Sequence, residues 1–383
     1  MNDLKTVYLS IGSNLGDRLR NLQKAVFSLH REVGTVVAIS RVYESPSWGF
    51  EAGNFLNAAV GLETELSPQK VLERILAIEK EMGRERTAAI GYQSRNIDID
   101  IIYYEYEIIE TPELTIPHPQ MTKRRFVLRP LSDIAPQFYH PILNKDTRNL
   151  IQESRDKTNP EKTNYRLYKN RQELFSNTQF IAIEGNIGAG KTTLARKMAN
   201  DFNAKLVLER FAENPFLPNF YKDQTRYAFP LEMSFLADRY QQFTDDTSQY
   251  DLFKNFMISD YDIFKSLIFA GVTLQKAEYE LYKKVFNFMY KEVTKPRIYV
   301  YLYQQTDRLI YNIKKRGRDY EQGITPEYLN QINRGYFDFL KSYPEENSLV
   351  IDITDMDFVE DENDYNTIVT KIQDFAIGQS LLT

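Results

Sequence analysis

The eight residues Gly185, Asn186, Ile187, Gly188, Ala189, Gly190, Lys191 and Thr192 combine three glycines with a lysine and a hydroxyl. That combination captures phosphate. Glycines let successive backbone N–H groups turn inward and form a concave anion site. Lys191 is placed to reach outer phosphates, and Thr192 offers a hydroxyl to a magnesium ion. The short apolar run Phe180-Ile-Ala-Ile-Glu184 precedes the loop, and Thr193-Leu-Ala-Arg-Lys-Met-Ala follows it with helical alternation. Strand, glycine loop and helix in this order set a helix N-terminus against the phosphates, which an incidental glycine-rich turn does not require. The expectation is a P-loop that binds a nucleoside triphosphate with Mg²⁺.

Arg95-Asn-Ile-Asp98-Ile-Asp100-Ile is a second focus. On a strand, side chains alternate faces, so Asp98 and Asp100 share one face about 7 Å apart while the isoleucines share the other. Two such carboxylates bridge hard cations that complete their shell with phosphate and water. An acidic solvated strand face is the competing reading. Gly83-Arg84-Glu-Arg86 before the strand, and His118 with Lys123-Arg124-Arg125 after it, favour an anion–metal site.

These groups need elements to hold them. Residues 5–11 read as a strand, 12–17 as a turn, and Asp17 as the cap of a helix from Arg18. Strands are expected at 36–43, 54–65 and 97–104, and a helix over 68–82 capped by Ser67. Strand–helix–strand–strand–helix–strand is a ferredoxin-like α+β pattern. Beyond the P-loop, residues 204–208 read as a strand ending at Glu209. An acid at the carboxyl end of a parallel strand lies on the ligand-binding side, which makes Glu209 a candidate general base for a hydroxyl.

The chain has 383 residues, 42% of them apolar, enough for two domains with ordinary cores. A net charge of −5 predicts no bulk attraction to nucleic acid or to anionic membrane. The absence of cysteine excludes disulfides, thiolate metal sites and cysteine nucleophiles. The first residues carry no signal-peptide apolar block, and no run approaches the ~20 apolar residues of a membrane helix. The expected location is the cytoplasm.

Over roughly residues 5–155, Tyr8-Leu-Ser-Ile-Gly-Ser-Asn-Leu-Gly-Asp17, Phe55-Leu-Asn57-Ala-Ala-Val, Arg95-Asn-Ile-Asp98-Ile-Asp100, Ile116-Pro-His118-Pro and Arg124-Arg-Phe126-Val-Leu-Arg-Pro-Leu occur in this order. They resemble 6-hydroxymethyl-7,8-dihydropterin pyrophosphokinase. The resemblance implies transfer of a pyrophosphoryl group from ATP to the pterin hydroxymethyl, a step of folate biosynthesis. It implies Asp98 and Asp100 as ligands of two Mg²⁺, and Arg84, Arg86, Arg95, His118 and Arg124 on ATP phosphates with Glu79 near the nucleotide. It also implies a pterin pocket of Ser45, Pro46, Trp48, Phe55, Asn57 and Phe126. Aromatic faces suit a flat bicyclic ring, and an asparagine suits its amide edge. Where the family carries Arg-Trp-Gly-Pro-Arg, this chain has Ala89-Ile-Gly-Tyr92-Gln-Ser-Arg95.

Over about residues 179–375, the P-loop, Glu209-Arg-Phe-Ala-Glu-Asn-Pro-Phe-Leu-Pro218, Tyr227-Ala-Phe-Pro-Leu-Glu232 and Arg316-Gly-Arg318-Asp-Tyr-Glu321-Gln-Gly-Ile resemble the deoxynucleoside kinase family. That implies transfer of the ATP γ-phosphate to a deoxynucleoside 5′-hydroxyl, with Glu209 as base. Tyr221 and Glu321 then meet the sugar 3′-hydroxyl, Glu232 and Arg239 the nucleobase edge, Arg316 and Arg318 the phosphates, and Asp357-Phe358 the adenine. The family's Glu-Arg-Ser or Asp-Arg-Ser is Ser259-Asp260-Tyr261-Asp262 here. Asp260 takes the metal role, and Lys265, one helical turn on, replaces the arginine's charge. An ionised Glu232 only accepts hydrogen bonds, which favours a base with an amino group and opposes the O4 of thymine. The preferred substrate on this ground is deoxyadenosine, or a purine deoxynucleoside.

The expectation is therefore two domains: an α+β ferredoxin-like pyrophosphokinase domain over 1–155, and an α/β P-loop kinase domain with a parallel sheet over 179–383. A polar linker over 156–178 joins them. The small-molecule partners are ATP, the pterin and a deoxynucleoside, with no nucleic acid or membrane, in a homodimer formed through the kinase domain. Two alternatives compete. In one, a domain has lost its chemistry and serves as an interaction module. In the other, the P-loop serves a regulatory ATPase that turns over without a nucleoside.

Overall fold

The structure is a computed structural model that describes residues 4–47, 53–83, 95–209, 214–220, 222–248, 254–318, 321–344 and 347–379. It divides into two compact units. The first comprises Met1–Leu174 with Ile377–Thr383, and the second Phe175–Ala376.

In the first unit, β1 (Lys5–Ser13), α1 (Arg18–Glu32), β2 (Thr35–Ile39), β3 (Tyr43–Ser45), β4 (Phe55–Thr64), α2 (Pro68–Glu81) and β5 (Asp98–Tyr104) follow in order. A small ribbon of β6 (Ile109–Glu110) and β7 (Thr115–Ile116) leads to α3 (Arg125–Ile134), α4 (Thr147–Glu153) and β8 (Glu161–Lys162). The sheet runs β5-β1-β4-β3-β8, with β2 also on β4. β1 lies antiparallel to both β4 and β5, the central pairing of the ferredoxin-like pattern. Asp17 and Ser67 cap α1 and α2 by accepting from the backbone N–H of Arg20 and Lys70, so each helix starts where its short polar residue predicts. Leu22, Val26 and Leu29 of α1 and Val71, Ile75 and Ile78 of α2 bury one sheet face, together with Ile97, Ile99 and Ile101. Val127, Leu128 and Leu131 of α3 cover part of the other face. The uncovered remainder of that second face is where the polar residues collect.

Two expectations change. The strand predicted over 36–43 is two short strands, because an extra residue interrupts their pairing with β4: Ile39 stands opposite Val60, and Tyr43 opposite Asn57. The Ser40 hydroxyl oxygen accepts from the Ala59 N–H, and the Arg41 N–H donates to Asp133. The first part of the stretch 156–178, expected as a polar linker, is instead part of the first unit. β8 pairs with β3, and the Gln23 side chain clips the Tyr168 backbone at both its N–H and its carbonyl, at 2.8 and 2.7 Å. Leu167 joins the core. A few isolated apolar residues in a polar stretch carry no periodicity, so only their distant partners reveal that they are buried. The boundary between units falls inside α5 (Arg171–Thr178).

The second unit opens with β9 (Phe180–Gly185), every residue of which is buried. This is the near-continuous apolar run of a parallel strand covered on both faces. It continues through α6 (Lys191–Asp201), β10 (Lys205–Val207), α7 (Leu217–Phe220), α8 (Gln224–Ser248), β11 (Met257–Ser259), α9 (Lys265–Thr273) and α10 (Lys276–Tyr290). β12 (Ile298–Tyr303), α11 (Thr306–Arg316), α12 (Pro326–Ser342), β13 (Ser348–Asp352) and α13 (Glu362–Gln379) complete it. The sheet order is β10-β11-β9-β12-β13, and every pairing is parallel. β9 sits in the middle, so the loop after it emerges at the carboxyl edge of the sheet, where open α/β sheets bind ligands.

Candidate active sites

In the first unit, strand register assembles the site. Gly12 of β1 stands between Asn57 of β4 and Asp98 of β5, and Ser10 stands opposite Asp100. Residues in register share a face. Gly12 keeps this strip of sheet bare, since a Cβ there would lie 3.0 Å from the Asn57 Oδ1 and 3.7 Å from the Phe55 ring. Asn57 donates to the Ser45 hydroxyl at 2.9 Å, and both are buried. Phe126, in the first turn of α3, is half-buried beneath the Arg124 guanidinium, 5.8 Å from its ring centroid. Phe55 is half-buried and Pro46 exposed. Trp48, Arg84, Arg86 and Tyr92 lie outside the described residues.

Cations surround the two aspartates. Arg95 donates to Asp98 at 2.7 Å. The His118 Nε2 and the Arg124 Nη1 each lie 3.8 Å from the Asp100 Oδ2. Burial, and then the adjacent Asp98 charge, push Asp100 up to about 7 against the pull of Arg124. Burial and the Arg124 charge push His118 down to about 4. Its Nδ1 accepts from the Gln120 N–H at 3.2 Å, so the neutral ring carries its proton on Nε2, facing Asp100. Glu79 is buried and accepts the Ile99 N–H at 2.9 Å, bracing the strand between the two aspartates. The Asn14 side chain accepts the Arg95 N–H at 2.7 Å, and the Asn14 N–H donates to the Arg95 carbonyl at 3.2 Å. Asn14 was not singled out from the sequence, although it follows the strand directly. Its partner is far along the chain.

The donor set fits a hard divalent cation. Burial, with the Asp98 charge beside it, raises Asp100 toward neutrality, and a dication would hold it ionised. Among the described residues no group of three or more His, Cys, Asp or Glu could hold a metal. Asp98 and Asp100 would thus supply two ligands, leaving the rest of the shell to phosphate and water.

In the second unit, one cavity gathers the P-loop, the end of β10, α8, α9 and the segment after α11, about 810 Å³ counting its open mouth. Gly188 and Gly190 have φ of +87° and +80°, a left-handed backbone that favours glycine. At Gly190 a Cβ would also meet the Phe358 ring at 2.7 Å. The side chain of Asn186 is buried, donating to the Leu329 carbonyl and to Asn333, each at 2.8 Å. Ala189 is buried, Ile187 half-buried, and the Thr193 N–H closes the first turn of α6 on the Gly190 carbonyl. Lys191 opens α6 and donates to the Asn186 carbonyl at 3.0 Å, its pKa pushed down to about 8 by burial and then by Lys265. The Lys197 ammonium donates to the Phe358 carbonyl at 3.1 Å, and the Asp357 N–H to Asp364. The Asp357–Phe358 turn thus stands beside the P-loop.

Asp260 links the loop to Glu209. Its carboxylate accepts from the Thr192 hydroxyl on one oxygen and from the Glu209 N–H, at 2.8 Å, on the other. A hydroxyl and a carboxylate at the P-loop are magnesium donors by type. Glu209 is clamped on both oxygens. Arg239 donates to Oε1 from Nε at 2.9 Å and from Nη2 at 2.6 Å, and Lys265 donates to Oε2 at 2.6 Å. Burial alone would raise this carboxyl. The Lys265 and Arg239 charges and hydrogen bonds outweigh burial and hold it well below the usual carboxylate range.

Lys265 therefore delivers the cation that the Asp-Tyr-Asp sequence lacks. Arg239, expected at the nucleobase edge, lines the same cavity as Glu232 and also pairs with Glu209. Three of its N–H groups are engaged with Glu209 and, at 2.7 Å, with the Ser266 hydroxyl. The reason is electrostatic: a buried carboxylate and a buried guanidinium in the same cavity pair with each other. Glu232, also buried, lines the cavity beside Phe235 and Phe269. Arg316 and Arg318 both pair with the carboxylate of Glu321, one oxygen each. Tyr221 lies outside the described residues.

Two families match the two units. Residues 8–136 match the 7,8-dihydro-6-hydroxymethylpterin-pyrophosphokinase family, and residues 181–376 the deoxynucleoside kinase family. The 2-amino-4-hydroxy-6-hydroxymethyldihydropteridine pyrophosphokinase of Porphyromonas gingivalis is 50% identical over 138 residues, which are 35% of this chain and 93% of that protein. Its namesake from Aquifex aeolicus is 44% identical over 152 residues, 39% of this chain and 93% of that protein. The deoxyguanosine kinase of Bacillus subtilis is 37% identical over 203 residues, 52% of this chain and 98% of that protein. No helix among the described residues is long and apolar enough to cross a membrane. The chain thus belongs to the 7,8-dihydro-6-hydroxymethylpterin-pyrophosphokinase family through its first unit and to the deoxynucleoside kinase family through its second.

Proposed function

We propose that the chain is a bifunctional ATP-dependent transferase. At the first site the hydroxymethyl oxygen of 6-hydroxymethyl-7,8-dihydropterin attacks the β-phosphorus of ATP, the bond to the α-phosphate oxygen breaks, and AMP leaves. At the second, the 5′-hydroxyl of a purine deoxynucleoside attacks the γ-phosphorus, its proton passes to Glu209, and ADP leaves. The observation that carries this reading is the clamped Glu209, set in one cavity with the P-loop lysine and two further arginines.

At the first site, Arg95, His118 and Arg124 supply the phosphate contacts, joined by Arg84 and Arg86. Ser45, Pro46, Trp48, Phe55, Asn57 and Phe126 hold the pterin. Mg²⁺ at Asp98 and Asp100 supplies charge neutralisation to the triphosphate.

At the second site, the Lys191 loop cradles the triphosphate and Asp357-Phe358 the adenine. Arg316 and Arg318 close on the transferring group, where planar guanidiniums suit charge spread over several oxygens. Glu321 and Tyr221 take the sugar 3′-hydroxyl. Thr192 and Asp260 hold a magnesium ion. In a loose transition state the nucleophile loses its proton late, so a carboxylate of low basicity orients the hydroxyl before it accepts the proton. The preference for a base with an amino group rests on Glu232, and the choice of a purine agrees with the name of the Bacillus relative, a deoxyguanosine kinase. A homodimer through the second unit and a cytoplasmic location complete the proposal. The domains we propose are those expected above, with the joining segment shortened at its start.

Paired assays test it: AMP release with the pterin, and ADP release with each deoxynucleoside. Thymidine as the best substrate would overturn the preference, and ADP release without any nucleoside would favour a regulatory ATPase.

Lys265 provides a sharper test. Lys265→Met leaves Glu209 with one cation, and kcat for the deoxynucleoside is expected to fall roughly ten- to a hundredfold. Lys265→Arg restores the charge and most of the rate. Equal rates for the two variants would remove Lys265 from the mechanism.

A further inference from the structure

We propose that Thr273 determines base specificity at the kinase site: by holding one oxygen of Glu232 it presents the other to the nucleobase as a fixed hydrogen-bond acceptor, which selects bases carrying an amino group. The proposal rests on the reading of the second unit as a deoxynucleoside kinase.

Glu232 projects from α8 into the cavity and is 3% exposed. Its Oε1 lies 3.0 Å from the Thr273 hydroxyl, at the end of α9. Its Oε2 is buried and has no hydrogen-bond partner among the described residues. A buried carboxylate oxygen left in that state is costly unless something bound in the cavity satisfies it. Phe235 and Phe269 line the same cavity as flat apolar walls, which is the environment of a stacked ring.

Thr273 does more than orient the carboxylate. Its single proton has two acceptors in reach, Glu232 Oε1 and the Phe269 carbonyl of its own helix at 2.9 Å. Donated to Glu232, the proton holds the ionised carboxylate. Donated to Phe269, it leaves the Thr273 oxygen free to accept a proton from a neutral Glu232. In either state the bond between Glu232 and Thr273 occupies Oε1, and Oε2 faces the cavity as an acceptor.

This matters because burial pushes Glu232 up to about 7, against the pull of Arg239, the Thr273 hydrogen bond and Lys265, so both states are populated at neutral pH. The groups facing it are Arg239 on α8, Lys265 on α9, Glu209 after β10, and Tyr282 on α10, whose hydroxyl donates to the Glu232 carbonyl at 3.3 Å. Adenine, guanine and cytosine carry an amino donor, whereas thymine presents O4 in its place.

The test compares kcat/KM for deoxyadenosine and thymidine on the full chain at pH 6, 7 and 8. Thr273→Val keeps the shape and removes the hydroxyl. It is expected to lower the deoxyadenosine-to-thymidine ratio roughly ten- to a hundredfold. The ratio should stay flat with pH in the wild type and vary with pH in Thr273→Val, where a proton on Glu232 is free to sit on Oε2. Thr273→Ser should restore the wild-type ratio and its flat profile. A Thr273→Val enzyme that loses activity on both substrates in equal proportion, or that keeps the wild-type ratio at all three pH values, overturns the proposal. Absence of ADP release with every deoxynucleoside in the wild type would overturn the kinase reading and this inference together.

Discussion

Replacing Glu209 by glutamine is expected to lower deoxynucleoside phosphorylation by roughly 10²–10⁴ in kcat. Pyrophosphoryl transfer to the pterin by the same molecules should be unchanged. Glutamine keeps the shape and one acceptor oxygen, but it cannot take the proton of the 5′-hydroxyl. It also leaves Arg239 and Lys265, both nearly buried, facing a neutral amide. The clamp that fixes the carboxylate then loses its charge–charge component, so the orientation of the hydroxyl suffers along with its activation. The first unit's activity serves as an internal control for concentration and handling. Wild-type kcat in Glu209→Gln would require a different base.

The second large effect is expected at Asp100→Asn. Pyrophosphoryl transfer should fall roughly 10²–10⁴-fold, because a neutral amide contributes no charge toward a magnesium ion and phosphates. Deoxynucleoside phosphorylation should persist. Stability should move the opposite way. The Asp100 pKa rises in the folded state to about 7, chiefly by burial and then by Asp98, from about 3.9 in an unfolded chain. A raised carboxyl favours the fold fully below its unfolded pKa and loses that advantage as pH climbs through the folded value. The wild-type first unit should therefore lose stability between about pH 4 and pH 7, and Asp100→Asn should not. Thermal unfolding in EDTA at pH 5 and pH 8 measures this: the variant's advantage should be larger at pH 8. An equal difference at both values would contradict a raised Asp100 pKa in the folded state.

Both predictions concern residues that stand out in the sequence, and the reason is local. A P-loop is built within eight consecutive residues between a strand and a helix, so its glycines, Lys191 and Thr192 declare themselves. Strand alternation alone places Asp98 and Asp100 on one face. Short caps such as Asp17 and Ser67 are equally local, since each side chain bonds the backbone three residues on. The order of elements followed from the same local patterns, and with it the two fold classes.

Whatever depends on residues meeting across long stretches of chain was settled by the tertiary structure. The strip of bare sheet at Gly12 exists because β4 and β5 flank β1 in one particular register. The Gln23 clip on Tyr168 turns what reads as a linker into part of a core. Arg239, expected at a base edge, also pairs with Glu209 across 30 positions of chain, because buried opposite charges within reach pair with each other. Lys265 reaches Glu209 across 56 positions of chain, and Thr273 reaches Glu232 across 41. Hydrogen bonds of that span carry no periodic or motif signal. Local sequence pointed to the phosphate and metal chemistry proposed for both sites, whereas packing in three dimensions set which cations meet Glu209 and which oxygen of Glu232 is left unbonded among the described residues.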